Sequence, residues 1–411
     1  MIRRTTALPV TLLLVALAAG CGGDDDTTSD TTTAAPADDP PATDTHDDAD
    51  ADDDADDLAV DDDPLAVVDG APFPAERCDA NRAAGTVTFL TGFDYAAAAS
   101  IVEVITAESQ GYYDELCLDV EILSSFSTAN YPLVAGGQGQ FASGGSFSEV
   151  VAFARANDAE LVVVTVAGRT PIDTLIVKPD AADSLDDLVG TTIGVKGKLP
   201  ASVEVMLLRN GLVEGTDYET VLVDGFDPVA HLAIPSIVGV PGWKSNEPGR
   251  LQREGVEFVT FDPSEGGVPG SFGAIFTSRE FADEHPTAVE DFVRATLRGL
   301  ATAIADPDLA SAAAVELIEA GGNPNFLSVE GEIFRWRTEA ELIATTTPDD
   351  VAPGTPDVAG LANEVAAYAE VELFGNDGAG DGGIVPDVDD HVDVRPARNV
   401  TNGEGRIVWP G

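Results

Sequence analysis

Five short stretches carry side chains that can hold a small molecule. Thr91-Gly92-Phe93-Asp94-Tyr95 follows a strand-like run and sets two aromatic rings around a carboxylate. At the carboxyl end of a parallel strand, Phe93 and Tyr95 can stack on a flat ring while Asp94 accepts from an amine or amide. Asp94 equally suits the N-cap of a following helix. Ser127-Thr128-Ala129-Asn130-Tyr131 precedes a helical stretch, and Ser143-Gly144-Gly145-Ser146 follows a short strand. Both can offer backbone N–H groups and hydroxyls to a polar or anionic group, and both are also ordinary turn chemistry. Lys196-Gly197-Lys198-Leu199-Pro200-Ala201-Ser202 leads from a strand into a helix. Lys198 and Ser202 at that helix start suit a carboxylate, sulfonate or phosphate, while a solvated surface charge is the common fate of a lysine. Trp243, at the head of Trp243-Lys244-Ser245-Asn246-Glu247-Pro248, can serve as a stacking wall.

Other chemistries lack their residues. There is no Gly-x-Ser-x-Gly elbow and no phosphate-loop lysine motif. The four histidines, His46, His231, His285 and His391, show no metal-ligand spacing with the cysteines. The sequence therefore reads as a binder, not an enzyme, with no cofactor and no metal. A net charge of -52 argues against a nucleic-acid partner. Only four lysines are present, and an acidic surface of this kind resists self-association, so a monomer is expected. The acidity fits either salt adaptation or the habit of an Ala/Asp-rich genome.

These stretches must be positioned by alternating strands and helices. Thr86–Leu90, Leu118–Leu123, Gln140–Ser143, Leu161–Val166, Thr174–Val177, Thr192–Val195 and Glu219–Val223 read as strands. Ala96–Ser109, Glu149–Arg155, Ser202–Asn210, Pro286–Ala305, Leu309–Ala320 and Leu361–Leu373 read as helices, with another beginning at Tyr131. Such alternation predicts an α/β fold with mainly parallel sheet and helices on both faces. From Gly378 the chain turns Gly-, Asp- and Pro-rich and reads as a loose extension.

The N-terminus says where the protein works. Arg3 and Arg4 precede an apolar run from Leu12 to Leu17, then Ala18-Ala19-Gly20-Cys21. The run is shorter than the about 20 apolar residues of a spanning helix. It reads as a secretory signal, and the residues up to Cys21 resemble a bacterial lipobox, in which the cysteine is lipidated. Between Gly22 and Gly70 stand 19 Asp and no Lys or Arg. Residues 22–75 cannot bury enough apolar surface to order themselves and read as a disordered acidic tether. The expected location is extracytoplasmic, on the cell membrane through Cys21. Cys78 and Cys117 remain in an oxidising compartment, where a disulfide between them is plausible.

Several stretches, in order, resemble the extracytoplasmic solute-binding proteins of ABC importers for nitrate, alkanesulfonates, taurine and thiamine or riboflavin precursors. Gly111-Tyr112-Tyr113 with Leu118-Asp119-Val120 is similar to the family's G-Y-F-x-x-x-G-L-D-V signature. Cys117 stands where the family has its second Gly, which fits a disulfide specific to this chain. Leu133-Val134-Ala135-Gly136 with Gln140-Phe141 resembles L-x-A-G-x-x-D-F, with Gln140 for Asp. Leu185–Gly190 with Ile193-Gly194-Val195 resembles L-K-D-L-K-G-K-x-I-G-V. Ser245-Asn246-Glu247-Pro248 and Gly267-Val268-Pro269 complete the series, with the helix bearing Phe292-Val293-Arg294-Ala295.

The resemblance implies a two-lobed periplasmic-binding-protein-like fold of type II with a ligand cleft between the lobes. Lobe 1 would comprise residues 76–176 and 272–377, and lobe 2 residues 177–271, with 378–411 as the extension. It also implies that Asn246 and Glu247 face the ligand, because pyrimidine-binding relatives use the acid of a matching Glu-Pro step. Glu247 otherwise reads as an exposed loop acid. An ABC permease and its ATPase would be the partners. The resemblance reaches a eukaryotic thiamine-pyrimidine synthase too, but that enzyme's Cys-rich motif is absent. A ligand-sensing lipoprotein feeding a membrane signalling partner is the alternative.

Overall fold

In a computed structural model the described residues are 63–323, 328–378 and 383–411. The leader, Cys21 and the acidic segment up to residue 62 lie outside them. The last residues expected in the tether, from 63 on, already pack on the body: Arg77 donates to the Leu65 carbonyl at 2.9 Å.

The first part of the chain runs α1 (Ala75–Ala83), β1 (Thr86–Leu90), α2 (Val102–Ser109), α3 (Tyr112–Glu115), β2 (Asp119–Leu123), α4 (Ser127–Ala135), β3 (Phe141–Ser143), α5 (Phe147–Asn157) and β4 (Leu161–Gly168). β4 is buried at every residue, as its almost unbroken apolar run demands of a strand covered on both faces. α5 opens with a reciprocal capping box between Ser146 and Glu149.

The chain then crosses at residues 169–172 into β5 (Asp173–Val177), β6 (Thr192–Val195), α6 (Ala201–Arg209), β7 (Glu219–Leu222), α7 (Pro228–Leu232), β8 (Gly239–Trp243), α8 (Glu247–Arg253) and β9 (Val259–Phe261). This crossing precedes the expected boundary at 176, so β5 belongs to the second lobe. Residues 262–271 cross back, and a Cβ on Gly270 would meet the Pro171 ring at 2.7 Å, so the two crossings pack directly together. β10 (Phe272–Ser278) follows, then α9 (Arg279–Glu284), α10 (Pro286–Ala305), α11 (Pro307–Gly321), α12 (Val329–Thr346), α13 (Val358–Ala369) and α14 (Arg395–Asn399).

Each lobe is built on one five-stranded sheet, ordered β2-β1-β3-β10-β4 and β7-β6-β8-β5-β9. The sheets are mixed, not mainly parallel. β10 runs antiparallel to β3 and β4, and β5 runs antiparallel to β8 and β9. A chain arriving from the other lobe enters the sheet from its opposite end, which reverses these two strands.

Ala96–Ser109 is helical only from Val102. Asp94 and Ser100 hold positive φ of 48° and 65°. The amides of Ala97 and Ala99 bond to the carboxylates of Glu332 and Glu339 on α12. Tertiary bonds thus override the helix preference of an alanine run. The C-terminal segment is not loose either. Val392 bridges to Val163, Arg294 donates to the Val408 carbonyl at 2.8 Å, and Arg298 lies 4.0 Å from the Trp409 ring centroid.

Cys78 and Cys117 form a disulfide with their Cα atoms 5.3 Å apart. Cys117 has a φ of 60°, the left-handed conformation that glycine adopts most easily. Beneath it, Phe292 of α10 stacks on Phe141 at 3.9 Å, and Asp291 accepts from Arg77 and Arg294 in the buried interior. Among the described residues no helix is long and apolar enough to cross a membrane.

Candidate functional site

The carboxyl ends of β1, β3 and β8 converge on one pocket between the lobes. Gly92 and Phe93 leave β1, Ser143, Gly144 and Gly145 leave β3, and Trp243 ends β8. Asn130, fully buried, ties the first two strand ends together. Its amide donates to the Thr91 carbonyl at 3.0 Å and the Ser143 carbonyl at 2.9 Å. The Ser143 and Ser100 hydroxyls share a hydrogen bond of 2.5 Å, and Ser100 holds its left-handed backbone beside it. Gly273 completes this wall. With φ at 69°, any Cβ there would lie 2.6 Å from that of Ala99.

Glu339 of α12 also lines the pocket. It is 1% exposed, accepts from the Ala99 amide at 2.5 Å and from the Ser245 hydroxyl at 2.6 Å. Burial pushes its carboxyl up to about 7. Behind it Glu103 accepts from the Ser100 amide at 2.8 Å, and burial raises it to about 8.

The second lobe contributes Trp243 to the lining, with further residues behind and beside it. Glu247 accepts from the Trp243 amide at 2.8 Å and pairs with Lys196 at 3.5 Å. The Lys196 ammonium lies 4.9 Å from the Phe226 ring centroid. Phe226 meets Phe93 of the first lobe edge-on at 6.4 Å, and Phe93 meets Phe126 at 5.9 Å. With the lobes in contact the cavity measures about 40 Å³, room for roughly three waters at 10–15 Å³ each. A ring-sized solute would fit only if the lobes parted, as in a hinge motion.

The lining determines what the pocket suits. Phe93, Trp243 and Phe272 are aromatic, Ser100, Ser127 and Ser143 bring hydroxyls, and Glu339 is the one charged side chain in the lining. Flat, uncharged rings bearing N–H groups match such walls, while an anion would face a carboxylate. No group of residues that could hold a metal ion occurs among the described residues.

Of the sequence-derived candidates, Phe93, Ser143, Gly144, Gly145 and Trp243 line this pocket. Glu247 and Asn246 stand behind Trp243, the latter accepting from Arg335 at 2.9 Å. Asp94 is committed to the fold. Its carboxylate accepts from the Ser124 hydroxyl and the Asn323 amide, and it caps no helix. Tyr95 packs against the alanine-rich core cluster. Tyr131 is core, stacked on Phe153 and Phe276. Asn130 positions strands, and Ser146 is the N-cap of α5.

Lys198 is exposed and Ser202 lies away from the pocket lining. The Ser202 hydroxyl donates to Asp173 at 2.9 Å. Loss of water and the charge of Glu149 push Asp173 up to about 7, and burial pushes Glu364 of α13 to about 6. This acidic neighbourhood does not suit the anionic tail expected at Lys198 and Ser202.

Sequence reasoning missed Ser100, Phe272, Gly273 and Glu339. Phe272 and Gly273 open a strand that was not foreseen. Glu339 carries no local signal, because its contacts come from far along the chain.

Known proteins resemble the chain in sequence and in fold. The family described as NMT1/THI5 like matches residues 98–310. A riboflavin-binding protein, RibY, from Chloroflexus aurantiacus is 32% identical over 148 residues. That stretch covers 36% of this chain and 42% of the relative, so the match spans less than half of either protein. The periplasmic aliphatic sulphonate binding protein SsuA from Escherichia coli superposes with a TM-score of 0.54 at 14% identity, over 74% of this chain and 91% of its own. The ligand binding component of an ABC-type import system from Staphylococcus aureus gives 0.53 at 12% identity, over 76% and 98%. The two lobes share the type II periplasmic-binding-protein-like fold of these structures, and the chain belongs to the NMT1/THI5-like family.

Proposed function

We propose that the protein is the extracytoplasmic solute-binding component of an ABC importer. It captures a small heteroaromatic solute reversibly between its lobes and hands it to a membrane permease and its ATPase. Lipid on Cys21 holds it at the membrane. The observation that carries this reading is the interlobe pocket, walled by Phe93, Trp243 and Phe272 with one carboxylate, Glu339. Binding between two hinged lobes suits capture and release.

Among the solutes that the family resemblance suggests, this lining favours the riboflavin-like and aminopyrimidine classes over sulfonate and nitrate. The latter need cations or clustered N–H donors, and the lining offers a carboxylate. The riboflavin-binding relative points the same way. Glu247 supports the site by holding Trp243 and Lys196. Native mass spectrometry of the ligand that copurifies is the test, followed by a thermal-shift screen. Riboflavin or an aminopyrimidine is expected to raise the melting temperature. A shift with alkanesulfonate or nitrate alone would refute the ligand class, and conversion of a bound ligand to product would refute the binder.

A further inference from the structure

Three side chains on one face of α12 reach both walls of the pocket. Glu332 accepts from the Ala97 amide at 2.7 Å and from Arg335. Arg335 extends to Asn246 of the second lobe at 2.9 Å. Two turns after Glu332, Glu339 accepts from Ala99 in the first lobe and Ser245 in the second. Phe334, on the same helix, abuts Gly249, where a Cβ would lie 2.4 Å from the ring. Thus α12, which packs on the first lobe through α11 and β4, holds the loop before α2 and grips the segment before α8.

Glu339 differs from the other two because it also lines the cavity. A carboxylate has about four acceptor positions, and two are taken here. We propose that Glu339 is the polar contact for an N–H group of the ligand and, through Ser245, the latch that couples ligand occupancy to lobe closure. This rests on reading the pocket as the solute site. When the lobes part, Glu339 keeps its Ala99 bond and loses the Ser245 hydroxyl. A ligand N–H then satisfies the buried carboxylate, and closure returns Ser245 on its other side. An anionic solute would be repelled by the ionised form of this group.

The test uses the full chain with spin labels at the exposed positions Glu160 in lobe 1 and Val189 in lobe 2, and riboflavin and a 4-aminopyrimidine as probes. Ser245→Ala leaves Glu339 in place and removes one interlobe bond. It should shift the label distances toward a longer, broader population and speed probe dissociation about tenfold. Glu339→Gln should lower affinity for the better probe at least tenfold. Ser245→Ala with unchanged distances and unchanged dissociation overturns the latch. Glu339→Gln with unchanged affinity overturns the contact, even if the latch stands. Wild-type protein that binds alkanesulfonate or nitrate and neither probe overturns the underlying ligand reading, whatever the label distances show.

Discussion

Replacing Glu103 by Gln should change how stability depends on pH. The Glu103 carboxyl is 1% exposed, and one of its oxygens has no hydrogen-bond partner among the described residues. Burial, with a smaller push from Glu339, raises it from 4.5 to about 8. In the unfolded chain the group returns to the ordinary range. Between these values the folded state holds a proton that the unfolded state has lost, so stability falls as pH rises. The contribution is intact below the unfolded value and fully lost above about 8. At about 1.4 kcal/mol for each factor of ten in proton affinity, the whole span amounts to roughly 5 kcal/mol as an upper bound. Gln keeps an acceptor for the Ser100 amide and never ionises. Wild type and Glu103→Gln should therefore melt close together at pH 4.5, and the variant should melt higher at pH 8.5. Buried Glu339 and Glu364 titrate in both proteins, so the difference between the two curves reports Glu103 together with its coupling to Glu339. Melting curves recorded across this range by circular dichroism decide the matter. Parallel pH profiles would refute the argument that Glu103 is protonated in the fold.

Glu247→Ala should weaken ligand binding more than about tenfold, roughly 1.4 kcal/mol, by releasing Trp243 and Lys196. Calorimetry showing unchanged affinity would remove Glu247 from the site. Gly273→Ala should cost about 2 kcal/mol or more in chemical denaturation, because its backbone is left-handed and its Cβ would enter Ala99 and Ala167. Cys78→Ala with Cys117→Ala should lose roughly 4 kcal/mol in the chain-entropy account of a loop this long. Pairing Cys78→Ala with Cys117→Gly instead should recover about 1 kcal/mol, since Gly takes the φ of 60° freely. Equal denaturation midpoints for the two double variants would contradict that.

Strands such as β4 and β6 were legible because their apolar runs have few other uses. The pocket residues Phe93 and Ser143 to Gly145 were legible because a strand end fixes where the next residues point, whereas Trp243 was legible only as an aromatic residue beside Asn246-Glu247-Pro248, since the strand it ends was not read. α12 was not. Its inward face carries Glu332, Arg335 and Glu339 among its apolar residues, so the apolar period is broken by the groups that matter. The alanine run before α2 misled in the opposite sense. Its local preference is helical, and the carboxylates that capture its amides lie 235 and 240 residues away. Asp94 and Ser202 had the right chemistry for a ligand, yet their bonds were already spent inside the fold. The direction of β5 and β10 depends on the path between the lobes, which no local pattern records.

The adjacency of β4 and β10 has a kinetic meaning. They form an antiparallel pair, with Phe272 opposite Gly168, whose connecting loop is the whole second lobe. Closing a flexible loop of about 100 residues costs roughly 4 kcal/mol of chain entropy. The second lobe shortens that loop by itself, because β5 and β9 pair at its two ends, with Leu175 opposite Phe261. Once they pair, only the two crossing segments separate β4 from β10. The second lobe is therefore placed to act as a folding template, bringing together the two halves of a first lobe that the chain itself divides.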